Sequence, residues 1–486
     1  MNRALGGGMG RDLVVSSEPL VVSANWSYNP SVHVRDRLRI EESVGEARAL
    51  RDEVAAWRSR WETIDAMGGH LTQLDLLSAV VLTLIDEIAV RTAAIDPAIG
   101  TGAVYERCRA EDLRLLHARR LWRWYADKLD QRAGVVDDIA VQTLRAADEV
   151  IWSCWKAAFT TLGEALPAAP IPYLAPQFSA SATPRTDPPP DLRVGLDDLL
   201  RRHVEELPVA VVGLPPVCCR RPWWIIVSAH ETSHHVQFES DGLEQLTQER
   251  VVAAAYRASE DTELAEAWRP WCRELFADAC SVLLVGPAAI WAVSELEMRT
   301  LPGLRKSPSG SYPPPLVRLA VLRAVAERAG FTAGQAELGT EGLDVPLGDD
   351  DLTRLAECVP HVAAALLALT SAAGMPLRSL GEPTVLAYSA QGSVAGWRAE
   401  LLGAEEPYPR QTLDAARFCA AAGVDAWQRF GARGGHERLA ARLRAVLPLC
   451  HEPGKRVGGV AGDPADVTRR FIADLYEGDK GRFGQA

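Results

Sequence analysis

Residues 223–239 read WWIIVSAHETSHHVQFE. An apolar run leads without a break into a segment holding three histidines and two glutamates. A helix here must pass through a core, because Trp223 to Val227 are strongly apolar. The same helix then carries ionisable side chains into the interior, where an unpartnered charge is expensive. His230 and His234 are four residues apart, which on a helix separates them by only about 40° around the axis. Both imidazoles therefore face the same way, and two such nitrogens can hold one Zn²⁺ at ~2.0–2.1 Å.

Glu231 is one step from His230. It can touch a metal-activated water without ligating the ion, the position of the general base in metal-assisted peptide hydrolysis. Such an ion needs a third protein ligand and an open fourth position. Residues 271–283, WCRELFADACSVL, supply a candidate. Glu274 lies 40 residues after His234 within another apolar helical pattern, and Asp278 follows one turn later on the same face. Asp278 can accept the other N–H of a ligating histidine and fix its orientation. Glu260, Glu263, Glu266 and Glu295 are nearby, but none has an Asp four residues later on a comparably apolar helix.

The order HExxH followed by ExxxD resembles the gluzincin metallopeptidases, the thermolysin-like clan. A third element, SYPPPLVRL at 311–319, is similar to one found in membrane metallopeptidases of the heat-shock and CAAX-prenyl-processing type. There a His-Pro is followed by an Arg that begins a helix. Here Tyr312 stands in place of that His and Arg318 matches the Arg. The resemblance spans about 100 residues, from Trp223 to Leu322. It implies a zincin-like core, zinc held by His230, His234 and Glu274, Asp278 behind them, and Tyr312 and Arg318 lining the cleft as oxyanion donors.

Composition narrows the partners. The 486 residues carry 52 Lys and Arg against 64 Asp and Glu, a net charge of −12. A nucleic-acid binder needs a basic excess, and so does a protein docking on anionic lipid. No nucleic acid and no membrane are expected. The apolar runs at 279–293 and 362–377 are too interrupted to span a bilayer, and the N-terminus lacks the apolar stretch of a signal peptide. Nine Cys, an odd number without a framework spacing, read as reduced thiols. The expected location is cytoplasmic.

The expected class is mainly α with a small β component, a metallopeptidase core flanked by helical regions. Residues 1–35 read as a tail or edge strand, and 36–166 as a helical bundle or arm. Within it Val54, Trp57, Trp61 and Ile64 share one face. The Pro-dense stretch 167–190 reads as a connector or surface loop. Residues 191–330 hold the zinc core, with Leu207–Leu214 as an edge strand closed by Pro215-Pro216, and helical patterns near 222–239, 260–300 and 313–330. Residues 331–486 are helical again, broken near 341–348, 381–383 and 452–464.

Other features have plainer readings. His235 points about 100° away from His234 and belongs to the core. Cys218-Cys219 are buried thiols. Trp57, Trp61, Trp122 and Trp124 are packing groups. Gly6–Gly8 lack the Lys and Ser/Thr of a phosphate loop, and no GxSxG is present. The expected activity is zinc-dependent hydrolysis of a peptide or protein substrate, with the flanking helices restricting entry or recruiting a regulatory protein partner. The alternatives are a catalytically silent zinc-containing scaffold and a zinc hydrolase of a non-peptide amide.

Overall fold

Long stretches with apolar residues at three- and four-residue steps form the helices that the pattern predicts, even where Gly45 or Pro360 lies inside one. The computed structural model describes residues 34–62, 69–134, 138–184, 192, 209–307, 310–336, 338, 350–430 and 435–451. The fold is mainly α with a small β component. The first four long helices are α1 (Val34–Trp61), α2 (Leu71–Ala93), α3 (Thr101–Leu129) and α4 (Ile139–Leu162). Residues 1–33, including Gly6–Gly8, lie outside the described residues, as does Ile64.

The chain divides into two compact units. One comprises the described part of Met1–Asp52 with Ile85–Leu116. Its small core holds Ile40, Val44, Ile95, Val104 and Cys108, bordered by an Arg51–Asp86 ion pair at 2.8 Å.

The other unit comprises Glu53–Leu84 and the residues from His117 onward. Val54, Trp57 and Trp61 are buried in it. Trp57 meets Trp61 and Trp122 edge-on, at 6.4 and 6.2 Å between ring centroids, and its indole N–H donates to Asp130 at 2.7 Å. Helix α4 starts at an N-cap, Asp138, whose carboxylate accepts from the Ala140 N–H.

The Pro-dense stretch is not wholly irregular. It supplies β1 (Ile171–Leu174) and β2 (Ser181–Thr183), which flank β3 (Val211–Leu214) in the order β1-β3-β2. Strand β1 runs parallel to β3 and β2 antiparallel. Pro172 is tolerated because β1 lies at the sheet edge. The expectation of an edge strand at 207–214 is corrected: the strand is shorter, central and buried throughout. Strand position is set by which segments pair with it, and β3 gains a partner on each side from the Pro-dense stretch upstream. Gly213 is required by close approach, since a Cβ there would lie 2.6 Å from Ser181 Oγ.

A short 3₁₀ segment, Pro222–Val227, leads into α5 (Ser228–Glu239). Next come α6 (Leu243–Ser259), α7 (Cys272–Val285), α8 (Pro287–Glu297), α9 (Pro315–Ala329) and α10 (Asp350–Leu367). The pattern at 260–300 is therefore not one helix. Gly286-Pro287 ends α7 and starts α8, and Gly286 sits at φ 69°, where a Cβ would lie 2.4 Å from a Tyr388 ring carbon. Gly381 and Pro383, expected to break a helix, lie in the first turn of Gly381–Ala387, where no intrahelical N–H is lost. The expected breaks at 341–348 and 452–464 lie outside the described residues.

Helices α11 (Ser393–Leu402), α12 (Ala415–Phe430) and α13 (His436–Val446) complete the unit. They share one continuous hydrophobic core with α4, α5 and α7. Trp223, just before α5, stacks on Trp427 of α12 at 4.6 Å and 12°. No described helix is long and apolar enough to cross a membrane.

Candidate metal centre

Helix α5 reaches the core because the residues before it, Trp223 to Val227, are all buried. The wholly buried His235 fixes its rotation: Nε2 lies 3.2 Å from the Val211 carbonyl of β3. His235 is thus turned towards the sheet, and His230, Glu231 and His234 are turned towards α7. Helix α7 is buried from Leu275 to Val285 and presents Glu274 and Asp278 to α5.

The side chains converge. His230 Nε2 and His234 Nε2 are 3.1 Å apart. Glu274 Oε2 lies 3.3 Å from His230 Nε2, and Glu274 Oε1 lies 3.5 Å from His234 Nε2. These residues form a cluster of donors able to hold a metal ion. Tetrahedral coordination at ~2.0–2.1 Å separates any two donors by about 3.3 Å, so the set suits one zinc-sized ion. Cys218 and Cys219, on the short helix Val217–Arg220, join no such cluster among the described residues.

Behind the donors lies a buried charge network. His230 Nδ1 is 3.0 Å from Asp278 Oδ1. Arg318, on α9, donates from Nε to Asp278 Oδ2 at 2.7 Å and from Nη2 to Asp278 Oδ1 at 2.9 Å. It also donates from Nη2 to Glu274 Oε2 at 3.0 Å and from Nη1 to Glu297 Oε1 at 2.9 Å. Glu274, Asp278 and Glu297 thus face a single guanidinium.

The titrations follow from these contacts. Burial lowers the His230 pKa, but Asp278 and Glu274 outweigh it and bring the group up to about 10. Burial takes His234 down to about 4. Burial opposes ionisation of Glu274, yet His234, His230 and Arg318 hold it well below the usual carboxylate range. Burial raises Glu231 to about 7.

These groups open onto a cavity of about 370 Å³. Its lining combines the polar groups His230, Glu231, Glu274, Tyr312 and Arg318 with the apolar Ile226, Val227, Ala289, Ala292 and Val293. Phe178, Ser179 and Ala180, which lead into β2, also line it. No described residue donates a hydrogen bond to the Glu231 carboxylate, and it is 7 % exposed. The Tyr312 ring lies under Arg318, 5.3 Å from guanidinium carbon to ring centroid. Burial and the Glu274 carboxylate raise the Tyr312 hydroxyl pKa, so it stays a donor at neutral pH.

All seven residues singled out in the sequence therefore meet in one place. Two that were not singled out join them: Glu297 and Arg299, whose Nη2 is 3.4 Å from Glu297 Oε2. The available signal was a glutamate ending a largely apolar helix, where burial and the helix dipole both disfavour it. Comparison with protein-family models, with curated proteins and with solved structures finds no match.

Proposed function

We propose that the chain is a zinc-dependent peptidase of gluzincin type, acting on a peptide or protein substrate. The observation that carries this reading is the 3.1–3.5 Å spacing of the His230, His234 and Glu274 donors beside the Glu231 carboxylate in one cavity. His230, His234 and Glu274 would hold the ion. When bound, Zn²⁺ supplies Lewis acidity, polarising the scissile carbonyl and making water easier to deprotonate.

The remaining work belongs to the chain. Glu231 takes the proton of the attacking water and passes it to the leaving amine. Its burial raises its pKa above the ordinary carboxylate range, which makes it a stronger base than an exposed glutamate. Asp278 holds His230 through Nδ1, so that Nε2 faces the ion. Arg318 has most of its fork of donors committed to carboxylates, so its role is to hold Glu274 and Asp278. Tyr312, whose hydroxyl neighbours Glu274, is the donor left for the developing oxyanion once the ion engages that carboxylate.

Strand β2 favours a peptide over a small amide. Among the described residues it pairs on one side only, with β3, and the residues leading into it line the cavity. An extended chain can add to such an edge through main-chain hydrogen bonds.

Mapping of new protein N-termini in cells expressing wild type or Glu231→Gln tests the reading, with zinc content measured on both proteins. Termini that depend on Glu231, with zinc equal in both, support it. A variant that keeps zinc and every biological effect would instead support the silent scaffold.

A further inference from the structure

We infer that Glu297 is a positioning residue of the metal centre, holding the Arg318 guanidinium in the plane that orients Glu274 and Asp278. The inference rests on the zinc reading and adds a residue to it.

Glu297 is the last residue of α8 and is buried. A carboxylate there is disfavoured twice, by desolvation and by the negative end of the helix dipole. Arg318 already has two carboxylate partners, Asp278 and Glu274, enough to satisfy its charge. What Glu297 adds is geometry. Asp278 grips the Nε and Nη2 edge of the guanidinium, and Glu297 grips Nη1 at 2.9 Å. Without the second grip the guanidinium can twist about the line joining it to Asp278. The second Nη2 hydrogen then turns away from Glu274 Oε2, now 3.0 Å away, and the carboxylate loses the support that aims it at His230 and His234. Groups that orient metal ligands typically change affinity 10–100-fold when lost.

Two conservative variants separate this role from a simple charge effect. Glu297→Gln keeps the chain length and an acceptor oxygen for Nη1 but loses the charge. Glu297→Asp keeps the charge but is one methylene too short to reach Nη1. The apparent zinc affinity of the full chain is measured by competition with a chromophoric zinc chelator, with thermal melts of the zinc-free proteins as the folding control. Positioning gives near wild-type affinity for Glu297→Gln and a loss of about 10–100-fold for Glu297→Asp. The reverse order, or equal affinity in the two variants, overturns the inference and leaves the zinc reading intact. A wild-type chain that takes up no zinc removes both.

Discussion

His230 Nδ1 lies 3.0 Å from Asp278 Oδ1, a buried carboxylate on the neighbouring helix. Together with Glu274 it keeps the zinc-free imidazole protonated at neutral pH, with a pKa near 10. A metal ligand must be neutral, so the ion has to displace that proton. His234, with a pKa near 4, has no proton to lose at pH 7. Zinc binding at pH 7 should release about one proton from His230 and a further fraction from Glu231, so affinity should rise at least about tenfold per pH unit between pH 6 and 8. Calorimetry in buffers of different ionisation enthalpy measures this; a binding heat independent of the buffer would contradict it.

Glu231→Gln should retain zinc and lose about 10²–10⁴-fold in kcat/KM. His234→Ala and Glu274→Ala should lose the metal itself. In the wild type, hydrolysis should fall as pH drops through the Glu231 pKa. That pKa is about 7 without metal and lower once a cation is bound beside it. Equal zinc loss in all three variants would remove Glu231 from its role as base.

Away from the candidate metal centre, Asp148 joins α4 to Arg132 and His70. Arg132 donates to it at 2.6 and 3.0 Å, and His70 Nε2 lies 3.0 Å away. Burial opposes ionisation, but Arg132 and His70 hold the Asp148 pKa well below the usual carboxylate range. Its stabilising contribution is therefore present above the unfolded value of about 3.9 and is lost as pH falls towards the folded value. Asp148→Asn should cost about 3–5 kcal/mol at pH 7, because it leaves the Arg132 charge buried and unpaired. Denaturant melts at pH 7 and pH 3 should show a smaller acid loss in the variant; parallel losses would refute the assignment.

Gly286→Ala places a methyl group against the Tyr388 ring at φ 69°. Strain and overlap together should destabilise the fold by about 2–4 kcal/mol. Tyr388 also donates to the Val285 carbonyl at 2.9 Å, which ties the ring in place. Chemical denaturation measures the loss, and a change under about 1 kcal/mol would mean that the ring moves aside freely.

The convergence of His230, His234, Glu274 and Asp278 was legible because each pair sits four residues apart on one helix. Helical spacing is a local property, and it aims both members of a pair at the same neighbour. The central place of β3 was not legible in a Val-rich run ending at Pro215-Pro216, because strand order depends on what pairs from elsewhere. Here the partners were β1 and β2, hidden in a stretch dominated by Pro, Ser and Ala. Glu297 and Arg299 were missed for a related reason. Nothing within a few residues of either announces Arg318, which reaches Glu297 from 21 positions further along the chain.

Residue spacing and apolar patterning on their own determined the helices, the metal-type donor set and the candidate base, since these depend on groups within about one turn of each other. Only the tertiary structure decided which strand stands in the middle of the sheet. It alone carried the C-terminal helices into the same core as α5, with Trp427 on Trp223, and set Glu297 behind Arg318. Such contacts join residues far apart in the chain, and their energy comes from shared burial and paired charge that no short window of sequence contains.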